Sequence, residues 1–265
     1  MTRLEEWGIY IMEILKVENL SKNFKGIRAL RDVSFNVEEG EKLVVIGPNG
    51  AGKTTLINIL NGQLLPSSGH IYFGRDISTM PVHRRTHLGM SRSFQLNRLF
   101  PDFSVFDNVL LGCHSTCASC FQMFRPITAY RREFAKVQEL LELMELDEKK
   151  DVLIKNLPYG EQRKLEITLS LALEPRLLLL DEPSAGLTAA ESTHIISIIS
   201  KLRSDITAII VAHDMDLVFG VADRILVLHY GQVLAEGTPE EIKASPSVRE
   251  IYLGIEENAE DAGAS

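Results

Sequence analysis

The sequence predicts an α/β protein whose core is a mostly parallel β-sheet covered by helices, with an antiparallel β subdomain and an inserted α-helical subdomain. Three observations carry that expectation. Unbroken aliphatic runs at Leu43 to Ile46 and Leu177 to Leu180 are the pattern of strands buried on both faces of a parallel sheet. Helix and strand patterns alternate after the second run, as successive β–α units do. Between the two runs, from about Val105 to Leu173, apolar residues recur at helical spacing.

Taken in order, Met12 opens the first clear strand pattern, in which Ile14, Leu15 and Val17 are the apolar positions. Val33, Phe35 and Val37 alternate with polar residues before the turn Glu38-Glu39-Gly40, as in a half-buried antiparallel strand. The run Leu43 to Ile46 enters a glycine-rich loop, then a helix that ends near Asn61-Gly62, where glycine suits a C-terminal cap. Ile71 and Phe73 mark another alternating strand. In the helical stretch, Phe134, Val137, Leu140, Leu141 and Met144 share one helix face, with Arg132, Glu133, Lys136 and Glu139 off it. A last helix from Glu161 to about Leu173 stops before Pro175. Strand Leu177 to Leu180, helix Ala189 to Leu202, strand Ala208 to Ala212, helix Met215 to Val221 and strand Ile225 to Leu228 then follow. The expected organisation is one domain over 12–254 with a helical subdomain over about 98–173, an N-terminal extension at 1–11 and an acidic tail at 255–265.

The chain has 265 residues, 45% hydrophobic and 24% charged, the balance of an ordinary globular protein and not of a disordered or collagen-like chain. A net charge of −8 supplies no positive field to gather phosphates non-specifically, so nucleic acid is not an expected partner. The aliphatic runs, four residues each, are far short of the roughly 20 apolar residues that span a bilayer. Residues Met1 to Ile11 mix Arg3, Glu5 and Glu6 with Trp7 and Ile9, which is not a secretory signal, and a cytoplasmic location is expected. The odd set Cys113, Cys117 and Cys120 gives no disulfide framework. Its C-x3-C-x2-C spacing resembles an iron–sulfur ligand triplet. Its mid-chain position beside a helical segment favours small residues packing a helical lobe instead.

The chemistry is concentrated in two segments. Gly47-Pro48-Asn49-Gly50-Ala51-Gly52-Lys53-Thr54 fits G-x-x-x-x-G-K-[ST], a loop whose backbone N–H groups converge on phosphates at a helix N-terminus. Strand and helix flank it as that motif requires, which gives the α/β chain a P-loop NTPase core. Lys53 is expected to meet the β- and γ-phosphates, Thr54 to ligate Mg²⁺ and Thr55 to add a phosphate contact. Leu177 to Leu180 ends in Asp181-Glu182, an apolar strand followed by a carboxylate able to hold a Mg²⁺-bound water. Glu182, one residue on, is placed to polarise a water attacking the γ-phosphate.

With these motifs the chain resembles the ATP-binding cassette family from about Met12 to Gly254. The resemblance implies that Phe24 stacks on adenine, that Gln95 senses Mg²⁺ and the membrane partner, and that His213 contacts the γ-phosphate. It also aligns the family signature L-S-G-G-Q with Leu157-Pro158-Tyr159-Gly160-Glu161, where three of five positions depart. In the family this segment reaches across a dimer, so Pro158, Tyr159, Gly160 and Glu161 are expected to face a second cassette's nucleotide. A further departure is Thr188, where the family usually has aspartate after Gly186-Leu187.

Tyr159 to Ile167, Phe94 to Pro101, Ser184 to Leu187 and Tyr252-Leu253-Gly254 are similar to the ATP-binding subunits of branched-chain amino-acid importers. Subunits for urea and related solutes are close to these, and some cassette ATPases do no transport at all. What the resemblance implies is an ATPase that uses ATP and Mg²⁺, peripheral on the cytoplasmic face of the inner membrane. Its implied partners are integral-membrane permease subunits, a second cassette, identical or different, and indirectly a solute-binding protein.

Overall fold

A computed structural model describes residues 12–93, 99–115, 131–202 and 206–251. Strands β1 (Glu13–Phe24) and β2 (Ile27–Glu38) form an antiparallel hairpin, and β4 (Ser68–Tyr72) pairs with the other edge of β1. The second sheet has six strands: β3 (Lys42–Ile46), β5 (Met90–Arg92), β6 (Leu177–Asp181), β7 (Thr207–Val211), β8 (Arg224–His229) and β9 (Gln232–Gly237). Their order is β5-β6-β7-β3-β8-β9, parallel from β5 to β8, with β9 antiparallel at the edge. Because β3 and β6 are not neighbours in the chain but flank β7 in the sheet, the loops after both strands open at the same carboxyl edge. Ligands bind at that edge in parallel α/β sheets.

The helices are α1 (Lys53–Leu60), α2 (Val82–His87), α3 (Val105–Ser115), α4 (Arg131–Leu143), α5 (Tyr159–Ala172), α6 (Ala189–Ser200), α7 (Met215–Val221) and α8 (Pro239–Ala244). The aliphatic runs are unbroken because the six-stranded sheet is covered on both faces. Leu43, Val45, Leu177 and Leu179 enter one core with α1 residues Leu56, Ile57 and Leu60 and with Leu15, Val17 and Leu20 of the antiparallel sheet. Val44, Ile46, Leu178 and Leu180 enter the other, which continues into Val109, Val137, Leu141 and Leu165 of α3, α4 and α5. Each such side chain contributes about 1.5–3 kcal/mol when fully buried, so both faces of the strand residues next to the loops are anchored.

Most expected elements are present, with differences at their edges. β4 closes at Tyr72, one residue before Phe73, whose N–H turns to the carbonyl of Arg75. α5 begins at Tyr159, two residues earlier than the sequence suggests, because Pro158 adopts the extended N-cap conformation and its carbonyl accepts from Glu161 and Gln162 N–H. Four short elements, α2, β5, β9 and α8, carry too little periodicity to stand out in the sequence. Cys113 is buried in the helical core, as its packing reading expects. Cys117 and Cys120 lie outside the described residues.

Candidate active site

β3 delivers the chain to Gly47 at the carboxyl edge of the sheet. A side chain at Gly47 would run into the carbonyl of Leu228, and one at Gly52, in the left-handed region at φ 107°, would meet the carbonyl of Ala29 at 2.7 Å. Glycine is therefore required at both positions by close backbone approach. No side chain caps the start of α1, which leaves its first N–H groups for an anion. Lys53 is buried, and its Nζ donates to the carbonyls of Gly47 at 2.5 Å and Pro48 at 3.2 Å. Burial holds its ammonium below the ordinary lysine value, opposed by the carboxylates of Glu182 and Asp181. A desolvated cation held only by carbonyls favours an incoming anion.

Beside this loop lies a cavity of about 500 Å³ lined by Asn49, Gly50, Ala51, Gly52, Lys53, Thr54 and Thr55, together with Glu182 and Tyr230. Its far wall is Gly26 to Ala29 and Arg31 of the first hairpin. Asp181 ends β6, is 7% exposed, and pairs with Arg92 Nη2 at 2.8 Å. Arg92 Nη1 also donates to Asn58 Oδ1 and Gln63 Oε1, both at 2.6 Å, which ties β5 and β6 to the end of α1.

Glu182 takes a left-handed φ of 48°, a conformation that costs a non-glycine residue about 1–2 kcal/mol. Its N–H donates to the carbonyl of Val211 at 2.9 Å, and Glu182 is one of the residues lining the cavity. His213 Nδ1 stands 3.7 Å from Glu182 Oε1, within charge contact but beyond a hydrogen bond. No group of three His, Cys, Asp or Glu side chains able to hold a metal exists among the described residues. The Thr54 hydroxyl and the Asp181 carboxylate, the latter paired with Arg92, are oxygen donors of the kind that suit Mg²⁺, which is held by one or two protein oxygens plus substrate phosphates.

Phe24 and the segment Pro158 to Glu161 are not among the residues lining this cavity. Phe24 ends β1, half exposed, with Lys22 Nζ 5.1 Å above its ring, and it is not among the cavity's lining residues. Gln95 lies outside the described residues. Pro158, Tyr159, Gly160 and Glu161 form the start of α5, away from the same chain's phosphate loop lining. Tyr159 Oη reaches the carbonyl of Ala185 at 3.3 Å, and Gly160 leaves room for the carboxylate of Glu191, which a side chain there would strike. Glu161 is ion-paired with Lys149. Thr188 caps α6 in a reciprocal capping box with Glu191, the task an aspartate would perform at that position.

Sequence reasoning passed over Arg92, Arg163 and Tyr230. Arg163 had a readable signal: Gly160, Arg163, Glu166 and Ser170 recur at helical spacing on the face of α5 that turns out to be buried.

Comparison with known proteins accords with this geometry. Residues 30–185 match the family described as "ABC transporter", and residues 232–258 match one described as "Branched-chain amino acid ATP-binding cassette transporter". The chain is 39% identical over 250 residues to the high-affinity branched-chain amino acid transport ATP-binding protein BraF of Pseudomonas aeruginosa, covering 91% of this chain and 98% of that one. It is 38% identical over 249 residues to LivG of Salmonella typhimurium, described in the same words, with the same coverage. Among solved structures, the ADP conformation of MJ1267, an ATP-binding cassette of an ABC transporter, superposes with a TM-score of 0.80 at 33% identity, covering 92% of this chain and 99% of that one. A P-loop cavity with Glu182 in its lining, a family match across more than half the sequence and similarity to such relatives over 91% of the chain lead to one conclusion: the chain belongs to the ABC transporter family, as one of its ATPase cassettes.

Proposed function

We propose that this chain is the ATP-hydrolysing subunit of an importer for branched-chain or similar amino acids, driving separate permease subunits from the cytoplasmic face of the inner membrane. The observation that carries the catalytic part is the position of Glu182, which lines the cavity with Lys53 and whose Oε1 stands 3.7 Å from His213 Nδ1. The substrate class rests on the match over residues 232–258 and on the BraF and LivG relatives. Among the described residues no helix is long and apolar enough to cross a membrane, and in this reading the solute passes through the permease subunits.

In this reading the loop Gly47 to Gly52 and the start of α1 bind the nucleotide's phosphates, with Lys53 turning from its loop carbonyls to the β- and γ-phosphates and Thr55 adding a contact. Phe24 stacks on adenine. Thr54, Asp181 and Gln95 hold Mg²⁺, which offsets phosphate charge when bound. Glu182 accepts the proton of a water as its oxygen attacks the γ-phosphorus, and the bond to the bridging oxygen breaks to release ADP. His213 donates to the γ-phosphate. The Pro158 to Glu161 helix start completes the site of a second cassette, identical or different, and closure of the pair passes through Gln95 to the permease. The cassette domain spans about 12–254, with a helical subdomain over about 98–173.

The test is uptake into vesicles holding the permease subunits, this chain and its partner cassette, with a loaded solute-binding protein outside. ATP-dependent uptake of leucine that is lost in Lys53→Ala and Glu182→Gln supports the proposal. Uptake of urea in place of amino acids overturns the substrate class, and uptake that survives both substitutions overturns the coupling role.

A further inference from the structure

The guanidinium of Arg163, one turn into α5 and 5% exposed, crosses from the helical lobe to the backbone that carries the candidate base. Nη2 donates to the carbonyls of Asp181 at 2.8 Å and Glu182 at 2.7 Å, and Nε donates to that of Pro183 at 3.2 Å. The remaining nitrogen, Nη1, pairs with Glu166 Oε2 at 2.6 Å, and Glu166 itself is 2% exposed. All three nitrogens are thus engaged in fixed directions, which a planar fork can do and an ammonium cannot.

Glu182 is the residue that needs such a hold. Its left-handed backbone is unfavourable in isolation, and it persists only where neighbours over-determine it. On its N-terminal side the N–H of Glu182 is pinned to Val211 in β7. On its C-terminal side the carbonyl accepts from both Ala185 N–H at 3.1 Å and Arg163. Removing Arg163 leaves the bonds to Val211 and Ala185 but takes away the fork that ties the Asp181–Pro183 backbone to α5, so the aim of Glu182 is held less firmly.

We infer that Arg163 is a positioning residue for hydrolysis: it fastens the helical lobe to the Asp181–Pro183 backbone, so that the lobe's placement and the aim of Glu182 are set together. This rests on the reading of Glu182 as the base. Glu166 serves by holding the fork flat, and burial pushes its carboxyl above the ordinary glutamate value, opposed by Arg163.

A double-mutant cycle on the full chain tests this, reading kcat and KM for ATP, affinity for a fluorescent ATP analogue and the melting midpoint. Arg163→Lys is expected to lower kcat about 10- to 100-fold, the usual cost of a misplaced catalytic group, with KM and analogue affinity within about threefold. In a Glu182→Gln background the same substitution is expected to change the residual rate by less than about twofold, because there is no base left to aim. A purely structural arginine would lower the rate equally in both backgrounds, which overturns the inference. If Arg163→Lys melts below the assay temperature, the pair Arg163→Gln with Glu166→Gln removes both buried charges and enters the same cycle. Inactive Glu182→Gln beside fully active Arg163→Lys overturns this inference alone. Wild-type turnover by Glu182→Gln overturns the reading of the base as well.

Discussion

Arg85→Met tests how the helix behind the phosphate loop is held in place. Arg85 is 1% exposed, and no carboxylate among the described residues forms an ion pair with it. It is bound instead by five carbonyls: Ile59 and Leu60 at 2.7 Å, Ile77 at 2.7 Å, Ser78 at 3.2 Å and Met80 at 2.8 Å. Two of these are the last carbonyls of α1, where a cation also suits the negative end of the helix. Burial lowers the guanidinium to about 10, so it is charged at neutral pH. Methionine fills a similar volume without donors. Ile59 then still accepts from Gly62 N–H and Ile77 from Met80 N–H, but Leu60, Ser78 and Met80 accept from no other group among the described residues. Each buried carbonyl left unpaired costs about 1–3 kcal/mol, so the buried ones of Leu60 and Ser78 and the partly buried one of Met80 together give a loss of about 3 kcal/mol. At roughly 2–4 °C per kcal/mol for a domain of this size, the midpoint falls by about 6–12 °C. Urea and thermal unfolding followed by circular dichroism, both without nucleotide, measure it. A loss below about 1 kcal/mol would refute the reasoning, since those carbonyls would then be served as well by water or by a relaxed backbone.

Three further outcomes are expected. Gly47→Ala places a methyl group against the carbonyl of Leu228 and should abolish binding of a fluorescent ATP analogue while far-ultraviolet circular dichroism is retained. Thr188→Ala removes the α6 capping box and should cost about 1 kcal/mol in urea unfolding, whereas Thr188→Asp, also an N-cap former, should stay within about 0.5 kcal/mol of the parent. For Asp214, burial alone would raise the carboxyl, but hydrogen bonds from Ser192, Leu217, Asp216 and Ser184 together hold it below the ordinary carboxylate value. A folded value below the unfolded one means stability present above the ordinary aspartate range and lost as pH falls through the folded value. Asp214→Asn should therefore flatten the acid limb of the stability–pH curve below about pH 4, as read by urea midpoints.

The parts of the fold legible in the sequence are those where one residue type answers to one local demand. Leu43 to Ile46 and Leu177 to Leu180 are unbroken because both sheet faces are covered, and that demand is written into every position. The phosphate loop is legible for the same reason, since backbone contacts leave Gly47 and Gly52 no alternative. β9 is different: an edge strand with half its residues exposed leaves Val233 and Ala235 as its only partly buried apolar marks, too few to signal a strand. Arg85 and Arg92 read in a sequence as solvated charges, and their partners are carbonyls or distant side chains that only the tertiary fold brings near; for Arg163 the helical spacing shows Glu166 but not the carbonyls of Asp181, Glu182 and Pro183. Phe24 shows the reverse limit. Its distance from the phosphate loop puts it in the right neighbourhood, but the lining beside the loop comes from Ile27, Arg28 and Tyr230.

The most direct test of the account is ATP affinity and steady-state hydrolysis measured side by side for the parent chain and Glu182→Gln. With phosphate binding proposed for the loop and α1 and proton transfer for Glu182, affinity should stay within about twofold while turnover falls about 10²- to 10⁴-fold, the span attributed to a positioned base. Turnover near the parent value, or affinity lost together with turnover, would contradict that division of labour.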